Sequence, residues 1–98
     1  MYMVYYDKLK WKLLGFRVSD AKDRMYYALL ENKYTHKLVR VHFGSKIHEN
    51  YHDLTGLNAY PHLKHGDDDR RRRYRKRAIG QVKDGFYSPS FFSYYYLW

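Results

Sequence analysis

Leu9, Trp11 and Leu13 alternate with Lys8, Lys10 and Lys12, a period of two that predicts a strand with one apolar and one charged face. Gly15 follows as a bend or bulge, and Phe16 and Val18 alternate with Arg17 and Ser19 in a second short run. Asp20–Arg24 is polar and reads as a turn. Met25–Glu31 is apolar at both parities, as a central strand is, and Asn32–His36 is a second polar turn. From Lys37 to Phe43 the alternation is strict, with Val39, Val41 and Phe43 on one face and Leu38, Arg40 and His42 on the other. Short connections between such runs predict an antiparallel meander of three or four strands.

After Gly44 the period changes. Ile47, Tyr51 and Leu54 stand at helical spacing with Gly56 as a C-cap, which predicts one or two helical turns. Tyr60-Pro61 must be extended or turning, because proline disfavours helix at the residue before it. Gly66 and Asp67 are N-cap candidates for a helix over Asp68–Ile79, with acids in its first turn, bases later and Gly80 at its end. Asp84-Gly85 marks a tight turn. Ser88-Pro89 is a cap followed by proline at the first helical position, opening an aromatic helix over 89–98. Its apolar residues surround the axis, so one side is expected to pack on the sheet, with Leu97 and Trp98 as anchors. The other side is left for a partner, which makes Phe91, Phe92, Tyr95, Leu97 and Trp98 candidate docking residues. The fold class is therefore α+β: one domain over 1–98, β-rich over 1–44, loop and helix over 45–98.

Composition narrows the picture. Ninety-eight residues bury one modest core. Thirteen tyrosines, within 20% aromatics, rest that core on large amphipathic rings. With no cysteine, disulfides and thiolate metal sites are excluded. No apolar stretch approaches the roughly twenty residues of a membrane span. The opening residues lack the continuous apolar stretch and small-residue cleavage site of a secretory signal.

The net charge is +9, and its densest part is DDDRRRRYRKR, Asp67–Arg77. Arg70, Arg71, Arg72, Arg73, Arg75, Lys76 and Arg77 repel one another unless an anion lies beside them. In one reading they line a helix against nucleic-acid phosphates. In the other they are architectural, with Asp68–Arg72 and Asp69–Arg73 pairs on the helix and the remaining arginines on carbonyls and carboxylates of this or adjacent subunits. Six arginines to one lysine favour fixed, bidentate contacts and hence the architectural reading.

His48-Glu49-Asn50-Tyr51-His52 matches the HExxH string of zinc hydrolases. Its longer form fails, since Thr55 and Asn58 stand where a glycine and a third histidine belong, and no glutamate follows Glu49. His62, His65 and Asp67, with His48 and His52, are the alternative nitrogen and oxygen ligand set, although histidines in such loops more often bond carbonyls or stack on tyrosine. No cysteine nucleophile, GxSxG elbow, P-loop or GxGxxG is present, and Asp67–Asp69 are neutralised by the adjoining arginines. The expectation is no enzyme, no metal, no cofactor and no small-molecule substrate.

The stretch His42–Ala78 resembles a small family of basic proteins encoded by large double-stranded DNA viruses, including those of algae. The resemblance rests on Phe43-Gly44, Tyr51-His52-Asp53, His65-Gly66-Asp67, the arginines around Tyr74 with Arg77, then Ser88-Pro89 and Leu97-Trp98. Ala78 departs from it, standing where the family commonly has histidine. The resemblance implies a viral origin and a place in the virion, with synthesis in the host cytoplasm or nucleus, and it supplies no catalytic residues. Together these readings favour a minor capsid or cement protein whose partners are larger capsid subunits. A non-specific nucleic-acid-binding virion protein is the alternative.

Overall fold

The computed structural model describes residues 4–98, so residues 1–3 of the β-rich half lie outside the described residues. Three strands form an antiparallel sheet in the order β2-β3-β4: β2 Trp11–Val18, β3 Arg24–Asn32 and β4 Leu38–Ser45. A second, two-stranded sheet pairs β1 (Tyr6–Asp7) with β5 (Phe86–Tyr87). The fold is α+β, with helices α1 (Asp68–Ala78) and α2 (Pro89–Phe92) following the meander.

The alternation places the inner face of the sheet correctly. Tyr26, Ala28 and Leu30 of the central strand and Val41 and Phe43 of β4 are buried, while Leu38 and Arg40 are exposed. The first strand differs from expectation in two ways. Lys8–Lys10 is a turn, because Asp7 accepts from the backbone N–H of Leu9 through its side chain and of Lys10 through its carbonyl. Leu9 is consequently 78% exposed. The two short runs then form one strand, since Leu14 is a bulge between the pairs Leu13–Leu30 and Gly15–Leu29 that restores the phase.

The predicted helical turns at 47–54 are absent. The backbone N–H groups of Tyr51 and His52 both donate to the Leu97 carbonyl, and that of Leu54 donates to the Tyr96 carbonyl. Asn50 bridges to Lys64 instead of winding a turn. The apolar spacing there is therefore an accident of a loop that hydrogen-bonds across to the end of the chain. A 3-10 turn, Pro61–Leu63, follows, and a second, Ile79–Gln81, continues from α1.

Ser88 caps α2 as expected: its hydroxyl accepts from the Phe91 N–H at 3.1 Å, and the side chain is fully buried. Only the first turn is α. Ser93–Leu97 widens into a π-turn, closed by Trp98 N–H to the Ser93 carbonyl at 3.1 Å. The corrected path changes what the rings do. Phe91, Phe92, Tyr94 and Leu97 are all buried within this chain, Trp98 is half-buried, and Tyr95 alone of the docking candidates is exposed, at 39%. Phe92 sits among Phe16, Phe43 and Tyr87 with ring centroids 5.4–5.8 Å apart. The sheet covers one side of the segment, β5 and the 51–54 loop others, and α1 its end. The sides that a regular helix would leave to a partner are thus largely used up internally.

Candidate functional site

Asp67 starts α1: its carboxylate accepts from the N–H groups of Asp69 and Arg70 at 3.0 and 3.2 Å, which holds its pKa below the usual carboxylate range. The helix then divides its seven cations by face. Arg71 and Arg75, one turn apart, both donate from Nε to the backbone oxygen of Trp98, at 2.8 and 3.2 Å. Their guanidinium planes also lie over Tyr51 and Tyr94, at 4.7 and 4.3 Å from the ring centroids. Tyr74 between them stacks on Trp98 at 4.2 Å and 10°. These three residues fasten the helix to the end of the chain, and the architectural reading holds for them.

The expected Asp68–Arg72 and Asp69–Arg73 pairs do not form. Asp68 instead accepts from the Tyr51 hydroxyl at 2.7 Å, and Asp69 pairs with Arg72 at 3.0 Å, three residues on. Both ends of the latter pair are largely exposed, so it contributes little.

Arg70, Arg73, Lys76 and Arg77 fall on a third face. They line a cleft of about 780 Å³ whose other side is the open end of the β3–β4 hairpin and the loop after it: Arg24, Ser45, His48 and Glu49. Leu97, Tyr74 and Trp98 complete it. Glu49 is the one acidic side chain among the lining residues, and it is engaged with Arg70 at 3.3 Å. Among the described residues, Arg24, Arg73, Lys76 and Arg77 have no acid or carbonyl within bonding distance, and all four are exposed. Sequence reasoning did not find Arg24. In the sequence it closes the polar stretch 20–24 with nothing local to distinguish it, but it opens β3, and the sheet brings it to α1, some fifty residues away along the chain.

The HExxH string is not helical, so it does not set its histidines one turn apart. His48 Nδ1 bonds the Ser45 hydroxyl at 2.9 Å, and that hydroxyl also accepts from the Ile47 N–H, an arrangement that closes the turn after β4. No group of three or more His, Cys, Asp or Glu residues gathers among the described residues.

His52 and His65 lie beneath the end of the chain instead, each with Nε2 buried and without a hydrogen-bond partner among the described residues. His65 Nδ1 accepts from the Asp67 N–H at 2.8 Å, which requires that nitrogen to be unprotonated. Burial lowers the pKa of both. Arg71 and Arg75 lower that of His52 further, against Asp53, and Arg70 that of His65, against Glu49 and Asp67. A histidine whose folded pKa lies below its unfolded value of about 6.5 contributes full stability above that value and loses it as pH falls towards the folded one. The thermal midpoint is therefore expected to fall between pH 7.5 and 5. A His52→Gln/His65→Gln chain should flatten that fall. An unchanged slope in differential scanning fluorimetry would remove these histidines from the account.

Tyr26 shows the opposite sign. Burial, then its hydrogen bond to Asp53, push its pKa up to about 12, so the hydroxyl stays a donor and ties the 53–59 loop to the central strand.

No helix among the described residues is long and apolar enough to cross a membrane. No protein family, curated protein or solved structure matches the chain.

Proposed function

We propose that this chain is a non-enzymatic protein that binds nucleic acid through backbone phosphates, within the virion setting that the viral resemblance implies. One observation carries the reading: Arg24, Arg73, Lys76 and Arg77 are gathered in one cleft with a single acidic side chain among them, and that side chain is already engaged. Clustered guanidinium groups repel one another, and an anion in the cleft relieves that repulsion. From the sequence alone the balance leans towards cementing. What supports phosphate binding is that, of the seven cations of α1, Arg70, Arg71, Arg72 and Arg75 find partners among the described residues and Arg73, Lys76 and Arg77 do not. The cleft offers charge and aromatic surface. Its one Ser–His contact serves a turn.

Binding of this kind depends on salt and only weakly on sequence. For the Arg73→Ala/Lys76→Ala/Arg77→Ala chain, affinity for a labelled 20-nucleotide oligomer in fluorescence anisotropy is expected to drop at least tenfold. The slope of log K against log salt should shrink by about two, as the loss of three contacts to a single strand requires. Its thermal midpoint should barely move, because these side chains are exposed. Equal binding by the substituted and native chains would defeat the proposal.

A second reading, a minor capsid or cement protein, has an observation of its own. The outer face of the sheet carries Arg17, Tyr27, Leu38, Arg40 and His42, and Arg40 stacks over Tyr27 at 5.0 Å. Tyr and Arg together are the composition of contact surfaces. Stripping virions in layers separates the two readings by whether the chain leaves with the capsid shell or with the genome core.

A further inference from the structure

We infer that the cleft takes one extended nucleic-acid strand and excludes the duplex; this rests on the nucleic-acid reading above. A basic helix commonly reads a duplex by entering the major groove. That groove is about 12 Å wide, and a helix with its side chains is about 10–12 Å across, so an entering helix must stand clear of everything else.

Helix α1 does not stand clear. On one flank Arg71, Arg75 and Tyr74 are packed on Tyr51, Tyr94 and Trp98. On the cation-bearing flank the 45–50 loop lies against it, joined by the 3.3 Å contact from Arg70 to Glu49. A duplex brought up to Arg73 and Arg77 would meet this loop and the hairpin end first. A single phosphate chain is thin enough to lie between them.

The spacing suits such a chain. With a rise of about 1.5 Å per residue, Arg70, Arg73 and Arg77 are about 4.5 and 6 Å apart along the axis, a row along one wall. Arg24 faces that row from the end of β3, so phosphates are gripped from two sides. Tyr74 and Trp98, stacked on each other at 4.2 Å, line the same cleft and set apolar surface for a sugar beside the cations.

The test compares a mixed-sequence 20-nucleotide single strand, the same sequence as a duplex, and polyglutamate as competitor, each with the native chain and with Arg24→Ala. We expect the single strand to bind at least tenfold more tightly than the duplex. Arg24→Ala should cost at least fivefold with the single strand and leave the duplex unchanged, and Arg24→Lys should restore most of the loss. A thermal midpoint equal to that of the native chain keeps the Arg24→Ala result interpretable. Equal affinity for both forms, or an equal effect of Arg24→Ala on both, overturns the single-strand inference and leaves nucleic-acid binding standing. Binding of neither, or competition by polyglutamate as strong as by the single strand itself, overturns the nucleic-acid reading.

Discussion

A chain lacking residues 91–98 is expected to show no cooperative unfolding transition. Phe91, Phe92, Tyr94 and Leu97 are buried, and rings from β2, β4 and β5 (Phe16, Phe43 and Tyr87) meet at Phe92. Burying each large apolar side chain contributes about 1.5–3 kcal/mol, so the segment carries roughly 6–12 kcal/mol. A domain of this size has only about 5–15 kcal/mol in total. The deletion also leaves the N–H groups of Tyr51, His52 and Leu54 without their acceptors and frees Arg71 and Arg75 from Trp98. Urea denaturation followed by near-ultraviolet circular dichroism decides the matter. A sigmoidal transition close to that of the full chain would mean that the segment is a dispensable tail.

Gly44→Ala should be the most damaging single-atom-scale change. Gly44 has φ of +77°, where a side chain costs about 1–2 kcal/mol. An added Cβ would sit 2.9 Å from Leu97 Cδ1 and 3.1 Å from Met25 Cβ and Sδ, in a core already closed. Overpacking of that kind costs about 1–3 kcal/mol more. Together these lower the thermal midpoint by about 10 °C or more, at about 4–8 °C per kcal/mol for a domain of this length. Gly66→Ala is the matched comparison. Its φ is +62° but nothing lies within 4 Å of the added atom, so only the backbone cost remains. Should the two substitutions cost the same, the close approach to Leu97 contributes nothing.

Features written in local chemistry were legible in the sequence. The strict alternation of 37–43 placed Val41 and Phe43 inward, Asp67 and Ser88 marked their caps, and the α+β order followed from the change of period at Gly44. What failed to read was set by distant backbone. The loop at 47–54 has helical spacing, yet its donors are taken by Leu97 and Tyr96. Strands β1 and β5, two residues each, are too short to show a period, and they exist because they pair with one another. The π-turn after Phe92 has no compositional mark. The seven cations of α1 were found as a set. Their division into fastening and cleft faces needed Trp98 and Arg24 to be placed.

The aromatic end of the chain closes a sheet that is synthesised well before it. At about 5–20 residues per second, several seconds separate the emergence of Phe43 from that of Phe92. During that interval Phe16, Tyr26 and Phe43 form a bare apolar surface, with β2 and β4 as open edges to either side. A nascent chain held there is the species most exposed to aggregation and to chaperone capture. Completion of the fold is therefore timed by the synthesis of the segment from Phe91 to Leu97.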